Sequence, residues 1–394
     1  MSGSHQVAGN QLTLLQNGTA FFPQLCADID AAQHSVNLET YIFAADETGR
    51  LIAAALKRAA ARGVVVRLLL DGFGSAELPQ LWVDDLRAAG IEMQWFRREI
   101  SPFTFRRSRK RRLLRLHRKL AVIDGEVAFV GGINILNDIP ENSDFTMPRL
   151  DYAVRVQGAV AGEIHATMRH LWGVVSWASF RRRGKEIERF VWGRAKHAAT
   201  PDIVFLLRDN LRHRRDIERA YLTAIAGAQR EIIIANAYFL PGRAFRRALI
   251  YAARRGIRIM LLLQGKVEYR LQHYATRALY DQLLAAGIEI YEYQPSYLHT
   301  KVAVVDGQWV TVGSSNIDPF SLLLAREANL AILDSGFAGE LRANLLASIS
   351  GDAVRIGEEH GRKRNFLSRM IARLSYGVVR LLIGLSGYRG RGSS

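Results

Sequence analysis

The chain has 394 residues, 49% of them hydrophobic, which suggests two ordinary domains with buried cores and argues against a disordered chain. Lys and Arg outnumber Asp and Glu by 54 to 37, and the net charge of +17 predicts a polyanionic partner, either nucleic acid or an anionic membrane surface. Cys26 is the only cysteine, so no intrachain disulfide can form and a reducing compartment fits.

The N-terminus, "MSGSHQVAGNQLTLLQNG", has no basic region followed by an apolar run, so no secretory signal is evident. No stretch of about eighteen apolar residues is free of charge, so we expect no spanning helix. Any membrane contact is therefore expected at the membrane surface.

The first elements along the chain occur twice. Residues 38–72, "LETYIFAADETGRLIAAALKRAAARGVVVRLLLDG", have a counterpart in 235–265, "ANAYFLPGRAFRRALIYAARRGIRIMLLLQG". In each stretch an apolar run ends near a tyrosine, an alanine-rich helical pattern follows, and a glycine precedes a β-branched and leucine run. Each therefore predicts a strand, a helix and a second strand.

The repeat continues through a helix, a strand and a hairpin. "DLRAAGIEMQWF" and "QLLAAGIEIYEY" each place a glycine, Gly90 or Gly287, where it predicts the C-terminal cap of a helix. "HRKLAVIDGEVAFVGGIN" at 117–134 and "HTKVAVVDGQWVTVGSSN" at 299–316 then predict two strands joined at an Asp-Gly turn. The recurring order predicts two similar α/β domains.

Basic segments separate and follow the halves. Residues 105–116, "FRRSRKRRLLRL", lead directly into His117. They are either a solvated loop or a segment that holds an anionic substrate or surface, and we favour the second. The stretch around 180–202, "FRRRGKEIERFVWGRAKHAATPD", is expected to be a solvated linker. We divide the chain into a first half (1–172), a basic linker (173–202), a second half (203–352) and a basic tail (353–394).

The tail from Gly361 is basic and amphipathic. It carries eight Lys or Arg and no acid, with apolar residues at helical spacing and arginines along another side. Such a helix either packs on the domain or lies in an anionic bilayer interface, and we favour the interface. The cations expected to bind membrane are Arg106, Arg107, Arg109, Lys110, Arg111, Arg112, Arg369, Arg373 and Arg380.

The doubled motif H-x-K-x4-D-x6-G-x-x-N carries the chemistry. A single copy is weak evidence, but two copies at identical spacing are not explained by coincidence. On a strand, residues two apart share a face, so each histidine projects beside its lysine. If the halves pack about a pseudo-twofold axis, both copies form one site. Its residues are His117, Lys119, Asp124 and Asn134 from the first copy, and His299, Lys301, Asp306 and Asn316 from the second.

These side chains suit phosphoryl transfer. Lysine and asparagine donate to nonbridging phosphoryl oxygens, while one histidine attacks phosphorus and the other protonates the leaving oxygen. Metal-ligand spacings such as H-E-x-x-H are missing, so we expect neither metal nor cofactor. A carboxylate should orient each histidine, and the candidates lie on the strand after each motif, Asp151 and Glu327. Asp124 and Asp306 are expected to hold the hairpin turns.

On these motifs the chain resembles the phospholipase D superfamily, over residues from about 10 to 350. Within it, the chain is similar to the bacterial cardiolipin synthases of the B type, through "LLQNGTAFFP", "LETYIFAAD", "ARGVVVRLLLDGFGS", "RRDIERAYL", "IIIANAYFLPG" and "VGSSNIDPFSL". The resemblance implies the phospholipase D fold, with two α/β domains of mixed sheets flanked by helices and one active site at their interface.

The resemblance also implies a reaction. A phosphatidyl group passes from one phospholipid to phosphatidylglycerol through a phosphohistidine, without metal, giving cardiolipin and, from a phosphatidylglycerol donor, glycerol. It implies His117 as nucleophile and His299 as acid. The first copy has Gly132 where the second has Ser314, so a hydroxyl contact to phosphate is expected only from Ser314.

The expected partner is an anionic phospholipid membrane, at the cytoplasmic face of a bacterial cell, with no nucleic acid. Phosphatidylethanolamine is an alternative donor, and the oligomeric state is left open. Two other functions stand against this one: a phosphodiesterase or nuclease of the same superfamily, and a non-catalytic basic scaffold on a membrane surface.

Overall fold

A computed structural model describes residues 3–97, 114–140, 143–183, 202–209, 213–318 and 325–357, with the single positions 374 and 377. The nine expected membrane-binding cations, most of the linker and most of the tail lie outside the described residues. Within the described ranges, no helix is both long enough and apolar enough to cross a membrane.

The first half is built on an eight-stranded mixed sheet. Its elements are β1 Ser4–Val7, β2 Asn10–Gln16, α1 Asn17–Ala31, β3 Ser35–Thr40, α2 Glu47–Ala61, β4 Val65–Asp71, α3 Gln80–Ala88, β5 Glu92–Phe96, β6 Arg115–Leu116, β7 Lys119–Ile123, β8 Val127–Gly131, β9 Tyr152–Gln157 and α4 Ala159–Arg183. The strand order is β1-β2-β9-β8-β7-β3-β4-β5, in which β3, β4 and β5 are parallel and the other pairs are antiparallel.

The second half repeats this plan. Its elements are β10 Ile203–Arg208, α5 Asp216–Gly227, β11 Glu231–Asn236, α6 Arg243–Arg254, β12 Arg258–Gln264, α7 Arg270–Arg277, α8 Tyr280–Leu284, β13 Glu289–Tyr293, β14 Lys301–Val305, β15 Trp309–Gly313, β16 Ala325–Leu333, α9 Ser335–Gly351 and β17 Ala353–Ile356. The order is β10-β16-β15-β14-β11-β12-β13-β17, and β6 of the first half pairs with β16. The expected pair of similar α/β halves with mixed sheets is confirmed.

Local sequence explains where the helices begin and end. Asp46 caps α2 by accepting a hydrogen bond from the Gly49 backbone N–H at 2.8 Å. Gly90 and Gly287 follow helices with φ of 86° and 81°, the left-handed conformation that glycine adopts without a steric penalty. Both glycines therefore end their helices as the sequence predicts.

The two sheets bury one shared core between them. Val130 and Val154 of the first sheet belong to the same buried cluster as Val310 and Leu330 of the second, and Leu341 of α9 joins them. Separate cores lie under α1–α3 in the first half and under α5–α8 in the second. Because burial of apolar area is the main favourable term in folding, this shared core holds the halves together.

The structure departs from the expected boundaries at two places. Helix α4 continues without a break from Ala159 to Arg183, across the expected start of the linker at 173. Residues 353–356, expected to begin the tail, form β17 instead and pair with β13 at the edge of the second sheet. A strand of four residues is too short to show a hydrophobic period in the sequence. Its position depends on pairing with β13, which lies much earlier in the chain.

Candidate active site

The backbone of each histidine is anchored on the opposite half. The His117 N–H donates to the carbonyl of Arg326 at 3.0 Å, and the His299 N–H donates to the carbonyl of Leu150 at 2.9 Å. A bridge between Leu150 and Leu298 and the pairing of β6 with β16 repeat this exchange. Both motif copies therefore lie at the seam between the halves.

The carboxylates that hold the imidazoles are also exchanged. Nδ1 of His117 lies 3.0 Å from Oε1 of Glu327, and Nδ1 of His299 lies 2.6 Å from Oδ2 of Asp151. The sequence names these two carboxylates as candidate orienting groups without assigning either one to a particular histidine. In the structure each carboxylate contacts the histidine of the other half. With Nδ1–H donating to a carboxylate, Nε2 of each ring is left for a substrate.

The two imidazoles share one electrostatic environment. Burial lowers the pKa of His117, the Glu327 carboxylate opposes this, and the Lys119 charge adds to it. Burial holds the pKa of His299 well below its ordinary value, and the charges of Lys301, Lys119 and His117 lower it further. Since each histidine feels charges from both motif copies, the copies form one site.

Both motif lysines are buried and folded back on the backbone. Lys119 Nζ donates to the carbonyl of His117 at 2.7 Å, and Lys301 Nζ donates in the same way to the carbonyl of His299. Burial lowers the pKa of Lys119 to about 7 and that of Lys301 to about 8, against the favourable charges of Glu327 and Asp151. Near neutral pH Lys119 is therefore only partly protonated, and Lys301 is mostly protonated but loses its proton far more readily than an exposed lysine.

The two orienting carboxylates differ in how readily they ionise. Burial raises the pKa of Asp151 to about 6, although the Lys301 charge opposes it. Burial also favours the neutral form of Glu327, but the charges of His117 and Lys119 and its hydrogen bonds hold its pKa below the ordinary value. Glu327 is the more firmly ionised of the two.

Ser314 takes part in that difference. Its hydroxyl donates to Oε2 of Glu327 at 2.5 Å and accepts from the Ala328 N–H at 3.1 Å. The hydroxyl proton is therefore directed at the carboxylate, and a contact from Ser314 to a phosphate stays a prediction. At Gly132 a Cβ would lie 2.4 Å from Oδ1 of Asp151, so the first copy has no room for a serine.

The motif asparagines lie buried at the ends of their hairpins. Oδ1 of Asn134 accepts from the Ile42 N–H at 3.2 Å. A different bond joins the corresponding segments of the second half: the Ile317 N–H donates to Oδ1 of Asn236 at 3.1 Å. Oδ1 of Asn316 is buried with no hydrogen-bond partner among the described residues. The two asparagines therefore do not have equivalent contacts.

The motif aspartates lie at the other end of the strands. Asp124 accepts from the backbone N–H groups of residues 33–35 at 2.7–2.8 Å, and Asp306 accepts from those of residues 229–231 at 2.7–3.0 Å. The aspartate follows the histidine by seven positions, so a strand separates them by about 20 Å. These aspartates hold the loops before β3 and β11, and do not reach the histidines.

Three residues near the site lie outside the doubled motif and were not predicted from the sequence. The Tyr41 ring lies 4.9 Å from that of His117. Asp71 accepts from the N–H of the residue before His117 at 2.7 Å, and Gln264 accepts from the N–H of the residue before His299 at 2.9 Å. The repeat could have indicated Asp71 and Gln264, because each is the polar residue that ends an equivalent strand, in "LLLDG" and in "LLLQG".

Comparison with known proteins identifies the family. A family profile described as "Cardiolipin synthase, PLD-like domain" matches residues 25–140 and 221–348. The chain is 39% identical to cardiolipin synthase B of Salmonella typhi and 38% identical to that of Escherichia coli K12, in each case over 96% of this chain and 90% of the relative. The phosphatidylserine synthase of Haemophilus influenzae Rd KW20 shares the fold, with a TM-score of 0.66 and 12% identity over 95% of this chain and 94% of that one.

These matches cover both halves and the seam that joins the two motifs. Together with the profile, relatives of this identity along nearly the whole chain show that it belongs to the cardiolipin synthases with phospholipase D-like domains.

Proposed function

We propose that the two exchanged histidine–carboxylate pairs transfer a phosphatidyl group from one phosphatidylglycerol to another through a phosphohistidine. As a cardiolipin synthase the protein is a phosphatidyltransferase. The observation that carries the finer proposal is the pair of imidazoles at one seam, each with Nδ1 on a carboxylate and Nε2 left for substrate. One imidazole then serves as nucleophile and the other as acid and base.

In the first step Nε2 of neutral His117 attacks phosphorus and forms the P–N bond. The bond from phosphorus to the glycerol oxygen breaks, and protonated His299 gives its proton to that oxygen. In the second step His299 takes a proton from a hydroxyl of a second phosphatidylglycerol, whose oxygen attacks phosphorus as the P–N bond breaks. Glycerol leaves after the first step, cardiolipin leaves after the second, and both histidines return to their first state.

Binding of the substrate prepares these protonation states. The phosphodiester is an anion, so beside Lys119 and Lys301 it raises their pKa values and that of His299. When substrate binds, the site takes up protons, so the lysines become charged and His299 becomes the protonated acid. The asparagine amides at Asn134 and Asn316 supply further donors for the nonbridging oxygens.

In this proposal, exposed apolar side chains near the site form a rim that faces the membrane. Phe73 follows β4 and is 53% exposed, and Val267 and Tyr269 follow β12 and are 48% and 57% exposed. The guanidinium carbon of Arg115 lies 4.5 Å from the centre of the Phe73 ring. Exposed apolar side chains beside cations suit an anionic lipid surface, and the basic composition of the segments at 105–116 and after 361 favours the same partner. We place the protein at the cytoplasmic face of the bacterial membrane.

The test is product analysis with the purified full chain. Phosphatidylglycerol vesicles should yield cardiolipin and glycerol, chelator should leave the rate unchanged, and phosphatidylethanolamine vesicles alone should yield neither product. His117→Ala and His299→Ala should each lower turnover with phosphatidylglycerol by at least 1000-fold while vesicle binding is retained. With a ³²P-labelled lipid, the peptide that carries the covalent intermediate should contain His117. Phosphohistidine hydrolyses in acid, so this peptide is isolated under alkaline conditions.

The competing functions give different results in the same assay. Cleavage of single-stranded DNA without cardiolipin formation would make the protein a nuclease. Vesicle binding without any turnover would make it a scaffold.

A further inference from the structure

The two halves differ at the residue that positions the chain before each histidine. In the first half Asp71 uses both carboxylate oxygens on three backbone N–H groups, those of Phe73 at 2.9 Å, Gly74 at 3.0 Å and Leu116 at 2.7 Å. In the second half Gln264 takes the same place and accepts from the Leu298 N–H at 2.9 Å. Only the glutamine brings an additional donor to this position.

That donor has no partner in the protein. Because the Leu298 N–H requires an acceptor, the amide oxygen of Gln264 must face it, which fixes the position of the amide nitrogen. Gln264 is 8% exposed, and its Nε2 is buried without a hydrogen-bond partner among the described residues. A buried donor left unsatisfied costs about 1–3 kcal/mol, so a ligand that accepts from it gains that energy.

Gln264 lines a narrow cleft on the His299 side of the site. Tyr238, Glu268 and Tyr269 line the same cleft. The Tyr238 hydroxyl donates to Glu268 at 2.5 Å, and the Glu268 carboxylate is close enough to Lys301 to favour its charged form. The cleft thus holds an amide donor without a partner among the described residues and a carboxylate acceptor, and the charge of that carboxylate acts on the lysine of the second motif.

We propose that this cleft is the subsite for the glycerol headgroup, with Gln264 donating to one of its hydroxyls and Glu268 accepting from one. The inference rests on the proposed function and adds the group that is recognised. A hydroxyl both donates and accepts, so a polyol satisfies the amide and the carboxylate together. In the first step the subsite holds the glycerol that leaves, and in the second it holds the glycerol of the acceptor lipid, because the two groups are the same.

The location of the cleft also fits the direction of transfer. The leaving and attacking oxygens must lie roughly in line with phosphorus and the nucleophile. A headgroup held on the His299 side places its oxygen beside the acid and base, and opposite His117. Asp71 has no donor of its own, so the corresponding position in the described part of the first half cannot hold a hydroxyl in the same way.

The test measures which acceptor is chosen. Phosphatidyl-p-nitrophenol serves as donor, since its leaving group needs no polyol subsite, and the acceptors are phosphatidylglycerol and phosphatidyl-1,3-propanediol, which lacks the secondary hydroxyl. The wild-type protein should prefer phosphatidylglycerol by at least tenfold, because a site that hydrogen-bonds a hydroxyl rejects an analogue without it. Gln264→Glu keeps the acceptor for Leu298 but removes the donor, and Glu268→Gln removes the charge. Both should reduce the preference to about onefold to threefold. The preference is a ratio of the two lipid products, so it is compared at whatever rate of p-nitrophenol release each variant shows.

The control is Gln308→Glu, which adds the same charge at the exposed turn of the β14–β15 hairpin and should keep the full preference. An unchanged preference in both cleft variants, or none in the wild-type protein, overturns the subsite. Loss of p-nitrophenol release in both variants overturns it too, since they would then act on the phosphoryl step. Failure of the proposed function looks different: the wild-type protein would make no cardiolipin from phosphatidylglycerol.

Discussion

Each imidazole depends on a carboxylate that the other half supplies, and this exchange can be measured. His299 and Asp151 form one unit, so adding Asp151→Asn to His299→Ala should cost little further activity, whereas adding Glu327→Gln should cost about 100-fold. Release of p-nitrophenol from phosphatidyl-p-nitrophenol is the readout, because this leaving group departs without an acid and His299→Ala keeps a measurable rate.

Pairing within each half predicts the reverse outcome, in which Glu327→Gln is the silent addition to His299→Ala. The single variants serve as the reference, and near-ultraviolet circular dichroism of each checks that the seam is intact.

The buried lysines make a second prediction at the residue scale, on stability. Lys119 and Lys301 have pKa values of about 7 and about 8 in the folded protein, against 10.5 when exposed. Between these values the unfolded chain binds more protons than the folded one, so the free energy of unfolding rises with pH. The cost of burying the charged lysines is therefore largest below pH 7, and it disappears as the pH approaches 10.5. Urea unfolding at pH 7 and pH 9 should show greater stability at pH 9.

Lys119→Met should raise the free energy of unfolding at pH 7 by about 1–3 kcal/mol, remove part of its rise with pH, and abolish turnover. Lys57→Met, at a half-buried position of α2 where Lys57 contacts Asp85, should change stability by at most about 1 kcal/mol and should leave its rise with pH and the turnover unchanged. A Lys119→Met protein less stable than the wild type at pH 7 would contradict the argument.

At the scale of elements, the motif aspartates act on loops and strands and not on phosphorus. Asp306→Ala leaves three backbone N–H groups without their acceptor, so we expect a loss of about 2–4 kcal/mol in stability. The remaining folded protein, assayed well below its melting temperature, should keep kcat within about threefold. Thermal unfolding followed by turnover at two temperatures separates the two effects.

Asp124→Ala should behave in the same way, because it makes the same three bonds in the first half. Burial opposes ionisation of both carboxyls, but these bonds hold their pKa values below the ordinary one, so their contribution is lost as the pH falls below about 4. A large drop in kcat with unchanged stability would instead bring these aspartates into the chemistry.

The elements could be predicted where their signals are local. Gly90, Gly287 and the Asp-Gly turns report their own backbone conformation, and the repeat doubled the evidence for each strand and helix. The exchange of Asp151 and Glu327 could not be predicted, since a strand's sequence does not say which half its end will reach. The Ser314 contact to Glu327 was missed for the same reason, because it depends on packing across the seam.

For the whole molecule, the charge and the rim together predict how the enzyme meets its substrate. Lipid headgroups lie in a surface, so the seam must face that surface, and the exposed side chains around it must tolerate the bilayer interface. Phe73 belongs to the first half and Val267 to the second, and they follow equivalent strands, β4 and β12. Both halves therefore present an apolar residue on the same side as the histidines.

The double variant Phe73→Asp and Val267→Asp should weaken binding to phosphatidylglycerol vesicles by about 10-fold or more, because two apolar contacts are lost and two charges are repelled. Sedimentation with vesicles at 50 and 300 mM salt measures this. Leu333→Asp is the matched control: Leu333 is 48% exposed, as is Val267, but ends β16 beside the β14–β15 turn, at the other end of the strands. Equal weakening by Leu333→Asp would mean that the overall charge drives binding without a defined face, and the orientation of the seam toward the bilayer would have to be abandoned.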